Sequence, residues 1–220
     1  MTLETIELET GPNPTASIII LHGLGADGND FVPVAEELEL ASVGPVRFVF
    51  PHGPTRPVTI NGGYAMRAWY DILGTDLARR EDEAGLRESQ ALVEELIAAE
   101  TARGIKSSRI VLAGFSQGCA MTFMAGLRHK QRLGGLLGMS GYLPLADKTA
   151  AERSAANADV PIFQAHGSGD PVIAVARAVA SRDALRALGY TVDWHEYPML
   201  HSVCAAEIAE MNRWLLKVLG

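Results

Sequence analysis

The sequence predicts an α/β protein with a mostly parallel central sheet and helices on both faces. Three observations carry this. Short β-branched runs such as Ser17-Ile18-Ile19-Ile20-Leu21 read as strands covered on both sides. Apolar stripes at helical spacing alternate with those runs, and that alternation builds a parallel sheet. Between one such strand and one such helix stands Gly114-Phe115-Ser116-Gln117-Gly118, a G-x-S-x-G turn.

The elements follow in order. Ile6 and Leu8 alternate with charged residues, as on an edge strand, and residues 17–21 form the next strand. Phe31, Val34, Ala35 and Leu38 mark the inner face of a helix, with Asp30 as its expected N-cap and Pro33 in its first turn. Residues 47–50 make a strand. Leu92, Val93, Leu96 and Ile97 make a helix stripe that stops near Gly104. The strand 110–113 leads into the serine turn, and a helix over 119–127 leads out. Strands are expected at 136–139, 162–165 and 192–197, with loop or short helix over 147–159. Helices are expected over 172–188, closed by Gly189, and along Ile208, Met211, Leu215 and Val218. Residues 1–220 read as one domain. The stretch 61–86, with Gly62, Gly63, Gly74 and Gly85, reads as a long irregular segment beside the site and a candidate lid.

Composition excludes several classes. The net charge is −7 and basic residues are scattered, so no nucleic-acid surface or steering to anionic membranes is expected. No basic leader precedes a long apolar segment, and no apolar run reaches the ~20 residues of a spanning helix. A soluble, cytoplasmic protein without a stable membrane anchor is expected. Cys119 and Cys204 are the two cysteines, read as unpaired, with Cys119 a buried filler.

A serine hydroxyl needs a base to become a nucleophile, and the base needs a carboxylate to orient it. After a G-x-S-x-G elbow the chain order is Ser, acid, His. The histidines beyond Ser116 are His129, His166, His195 and His201. His129 sits in Arg128-His129-Lys130, read as a solvated helix end, and His195 lies inside an alternating strand. His201 follows a strand's C-terminal end and is the favoured base, ahead of His195. Asp170, in His166-Gly167-Ser168-Gly169-Asp170-Pro171, is the favoured acid; the competing reading makes it a helix N-cap. His166 precedes the acid and reads as a loop brace. For the oxyanion, the backbone N–H of Gln117 and that of Leu24, in Leu21-His22-Gly23-Leu24-Gly25, are the candidate donors. A phosphate loop is the weaker reading there, since G-x-x-x-x-G-K-[ST] is absent. His22 reads as a brace for this loop.

Together these residues resemble the acyl-protein thioesterase and carboxylesterase family of α/β-hydrolases, over nearly the whole chain. The matching motifs are 21–27, Asn61-Gly62-Gly63-Tyr64 with Ala68-Trp69-Tyr70-Asp71-Ile72, the elbow 112–118, His166-Gly167 with Asp170, and Tyr197-Pro198-Met199 with His201. The resemblance implies an α/β-hydrolase fold and hydrolysis of carboxylic esters or thioesters, with neither metal nor organic cofactor. It also tips Trp69, Tyr70, Ile72, Leu73 and Leu143 towards substrate binding, against a plain core-packing reading of Trp69 and Tyr70. The family usually has Gly at the positions of Cys119 and Leu200. Leu200 is costly if that position needs a positive φ, and it would narrow the pocket near the base.

The expected activity is therefore a serine carboxylesterase for small ester or acyl substrates of short to medium chain, working through an acyl-enzyme. The alternatives are a thioesterase or lysophospholipase for long acyl chains, and a catalytically silent hydrolase-like binding protein. A homodimer is compatible with the sequence.

Overall fold

The computed structural model describes residues 3–74 and 81–220. Its main sheet, among the described residues, has seven strands: β1 (Thr5–Glu9), β2 (Ala16–Leu21), β3 (Val46–Pro51), β6 (Ile110–Phe115), β7 (Gly135–Met139), β8 (Ile162–Gly167) and β9 (Val192–Tyr197). Their order is β1-β3-β2-β6-β7-β8-β9, and only the β1–β3 pair is antiparallel. The α/β prediction is met, and Ile6 and Leu8 do lie on an edge strand.

Strand alternation feeds two cores. Ile19 and Leu21 of β2 and Leu112 of β6 point to one face, where α2 (Glu83–Ala102), α3 (Gln117–Gly126) and α5 (Val175–Ala187) supply Val93, Met121 and Leu185. Ile18, Ile20 and Val111 point to the other, where α1 (Val32–Glu36) and α6 (Ala205–Leu219) supply Ala35, Met211 and Trp214. Each fully buried Ile or Leu contributes roughly 1.5–3 kcal/mol, so a strand slipped by one residue would bury the wrong set. Gly104, at φ 95°, ends α2 in a conformation that side chains avoid.

The helix near the first loop is shorter than its stripe suggests: a 3-10 turn over Gly28–Phe31 runs into α1. Its cap is Asp27, whose carboxylate accepts from the Asn29 N–H, and Asp30 lies inside the turn. Residues 147–159 hold the short helix α4 (Ala146–Glu152).

The stretch 61–86 is less irregular than expected. β4 (Thr55–Val58) and β5 (Tyr64–Arg67) form a separate antiparallel hairpin, and Glu83–Leu86 is already helix. Residues 75–80 of the candidate lid lie outside the described residues. Among the described residues no helix is long and apolar enough to cross a membrane.

Strand order positions the site. From β2 the chain crosses one way to β3, and from β6 the other way to β7. The loops leaving β2 and β6 therefore open beside each other at the C-terminal edge of the sheet, where ligands bind in such folds.

Candidate active site

Ser116 follows β6 directly and precedes α3, at φ 56° and ψ −114°. That is strained for a residue with a Cβ. The surroundings hold it: its N–H donates to the Met139 carbonyl at 2.9 Å. The turn is too tight for a side chain behind it. A Cβ on Gly118 would lie 2.0 Å from the Leu21 carbonyl oxygen, and one on Gly114 would lie 2.2 Å from the Gly118 carbonyl oxygen.

The Ser116 Oγ lies 3.0 Å from His201 Nε2, and His201 Nδ1 lies 2.7 Å from Asp170 Oδ2. The structure thus brings together the three residues singled out by chain order, from the ends of β6, β8 and β9. Burial works to raise the Asp170 pKa, yet the bonds from His201 and from the Ile173 and Val172 N–H groups outweigh it and hold the carboxyl below its ordinary range. An ionised Asp170 only accepts. His201 must then carry its proton on Nδ1, which leaves Nε2 free to accept from the serine. Phe115 packs on the His201 ring, with centroids 4.7 Å apart.

Asp170 does not cap α5, which begins at Val175 after Ala174, so the helix N-cap reading is not met; its carboxylate instead orders the turn after β8. Oδ1 accepts from the N–H groups of Val172 (2.8 Å) and Ile173 (2.9 Å), while Oδ2 faces His201. His166 is fully buried, and its Nε2 lies 2.8 Å from the Ile173 carbonyl oxygen, so it braces the same turn. His195 stacks on Phe163 in the sheet, away from Ser116. His129 differs from expectation: it is buried, with Nδ1 2.5 Å from Glu94, a partner on α2 that local sequence does not reveal.

Leu24 lines the cavity above Ser116, and Gln117 is the first residue of α3. A helix's first N–H groups have no intrahelical acceptor, so that of Gln117 is available to a ligand. His22 holds the glycine loop: its Nδ1 lies 2.7 Å from the Gly23 carbonyl oxygen, and its Nε2 accepts from the Gly53 N–H at 2.9 Å. Burial lowers its pKa, which keeps the ring neutral and able to accept.

The cavity at Ser116 has a volume of about 620 Å³, within the range of small-molecule sites. Tyr70 and Ile72 line it, as expected. Trp69, Leu73, Leu143 and Leu200 do not. Trp69 is wholly buried and ties elements together: its backbone N–H donates to Gln117 Oε1, its indole N–H to the His22 carbonyl, and Ser89 donates to its carbonyl. Leu143 is core, and its N–H donates to Ser181. Leu200 is 64% exposed and absent from the positive-φ residues, so it neither strains the backbone nor narrows the cavity. The sequence reading missed Ile60, Phe115, Tyr142, Val172 and Ile173 as cavity walls. Val172 and Ile173 follow Asp170 directly, and that adjacency was the available signal.

Glu207 lies in the first turn of α6 with no exposure and no hydrogen bond to either oxygen. Desolvation pushes its carboxyl up to about 8; the Cys204 backbone N–H, short of hydrogen-bond geometry, offsets this only in part. Cys119 is buried and, like Cys204, unpaired. Among the described residues no group of three His, Cys, Asp and Glu side chains is placed to share a metal ion.

A strained serine after a central strand, bonded to a histidine that is bonded to a buried carboxylate, is the layout of an α/β-hydrolase. The phospholipase/carboxylesterase family model matches residues 4–219, and the chain belongs to that family. It is 40% identical over 206 residues to an acyl-protein thioesterase 1 from Yarrowia lipolytica, covering 91% of each chain. It is also 40% identical to an acyl-protein thioesterase 1 from Mycosarcoma maydis, covering 97% of this chain and 95% of that one. The crystal structure of Zea mays acyl-protein thioesterase 2 superposes with a TM-score of 0.88 at 28% identity, covering 99% of both. The protein is a serine hydrolase acting on ester bonds.

Proposed function

We propose that the chain hydrolyses acyl thioesters, and carboxylic esters more slowly, through an acyl intermediate on Ser116. The hydrogen-bonded run Ser116–His201–Asp170 at the mouth of a largely apolar cavity carries this reading. The names of the relatives favour a thioester of an acylated protein over a short-chain ester.

His201 Nε2 takes the Ser116 proton as Oγ attacks the acyl carbonyl. The oxygen of the tetrahedral species becomes negative and is met by the Leu24 and Gln117 N–H groups. The imidazolium, stabilised by Asp170, returns its proton to the departing sulfur or oxygen. Water then attacks the acyl-enzyme as His201 takes one of its protons; the bond from the acyl carbon to Ser116 Oγ breaks, His201 returns that proton to Oγ, and the carboxylic acid leaves. A thiol leaves more readily than an alcohol because its pKa is far lower, about 8.5 for a cysteine.

Ser116→Ala is expected to abolish turnover of matched thioesters and oxoesters while the far-UV spectrum is retained. A variant keeping most of its activity would refute the nucleophile. A ratio of kcat/KM favouring oxoesters would refute the thioester preference alone.

A further inference from the structure

The cavity runs from an exposed rim to a closed floor. At the rim, Ile60 is 42% and Val172 63% exposed, whereas at the floor Tyr70 and Tyr142 are each 2% exposed. The two phenol oxygens are 2.9 Å apart, so residues 72 positions apart in sequence form one hydrogen-bonded bridge. Each ring is fixed from behind. The Tyr70 carbonyl accepts from the Gln117 side-chain amide at 2.9 Å. The guanidinium carbon of Arg177, on α5, sits 3.7 Å from the centre of the Tyr142 ring, and Glu81 lies 3.8 Å from that guanidinium. The next residue, Leu143, donates its N–H to Ser181, which donates to the Arg177 carbonyl.

We propose that the Tyr70–Tyr142 bridge, backed by Arg177, is the stop that sets the longest acyl chain the site accepts. The inference rests on this cavity holding the acyl group in the reaction above. A chain that reaches the floor meets two hydroxyls bonded to each other. Going further means parting them and leaving both buried without partners, which is costly. It also means pushing an aromatic ring off the cation that stabilises its far face. In a closed apolar pocket a single surplus methylene changes kcat/KM by about tenfold or more.

The test is the kcat/KM profile over p-nitrophenyl esters from acetate to palmitate. The reading is the ratio between the first ester past the optimum and the optimum itself. Tyr142→Ala removes the ring and should raise that ratio about tenfold. Tyr142→Phe keeps the ring but breaks the bridge, and should raise it by a smaller factor, about threefold. Unchanged profiles in both, or a shift towards shorter chains, overturn the proposal. If Tyr142→Ala does not fold, the Tyr142→Phe profile decides by itself. Fluorophosphonate labelling separates the two levels. Labelling and turnover that disappear in Ser116→Ala keep the hydrolase reading, so a static profile then removes the stop alone. Turnover that survives Ser116→Ala removes the reading beneath it.

Discussion

Glu207→Gln is predicted to stabilise the protein by an amount that grows with pH. Glu207 is wholly buried, and neither oxygen makes a hydrogen bond. Its carboxyl ionises near 4.5 when exposed to water and near 8 in the fold. Between those values the folded chain holds a proton that the unfolded chain has released. Its contribution is therefore fully present below pH 4.5 and is lost as pH rises through 8. That interval, at about 1.4 kcal/mol per pH unit, sets a ceiling of about 5 kcal/mol, of which about 3 kcal/mol is lost by pH 7. Glutamine has nearly the same shape and no proton to lose. In urea unfolding of both proteins at pH values of about 4.5, 7 and 9, the stability difference should widen by several kcal/mol. For a chain of this size that corresponds to a melting-temperature gap of about 10–15 °C on the alkaline side. Taking the difference cancels every other titration, including the opposite trend from Asp170. A difference that stays constant with pH would refute the reasoning.

Gly118→Ala should cost about 3 kcal/mol or more, because the new methyl group meets the immobile Leu21 carbonyl at the turn; chemical denaturation measures this. Asp170→Asn should cut kcat by about 10⁴ by favouring the wrong histidine tautomer, measured in a standard ester assay. The same variant should lose less stability on acidification, since the depressed Asp170 pKa gives stability that is present above its unfolded value and disappears as pH falls through the folded one; acid titration of the circular dichroism tests that. Trp69→Phe strands the His22 carbonyl and should destabilise by about 1–3 kcal/mol in urea.

Most of the sheet was legible because its strands are buried on both faces and read as β-branched runs. The grouping of His201 and Asp170 with Ser116 was legible because strand ends and chain order constrain it. The β4–β5 hairpin was not, since its strands are short and mostly exposed, and Pro57 interrupts the first. Trp69 and Tyr70 show a second limit. Adjacent residues in extended chain point opposite ways, but no alternating pattern at 68–72 reveals which one faces the core. Leu200 fails for a related reason: proximity in sequence to His201 says nothing of direction. Burial of His129 depends on Glu94, and that of Tyr142 on Tyr70 and Arg177, all brought there by the fold.

Gln117 joins what catalysis needs to what substrate choice needs. Its backbone begins α3 beside the nucleophile, while its side chain grips Trp69 and Tyr70 at the same moment. Inheritance of a new acyl preference is therefore constrained. Changes that move the Tyr70 wall pull on the serine turn, and a lineage altering that wall risks its rate. At the rim Ile60 and Val172 are tied through their backbones, the Ile60 N–H to the Ile72 carbonyl and the Val172 N–H to Asp170 Oδ1; a change of side chain keeps those bonds, so adaptation to a new leaving group can proceed there one residue at a time.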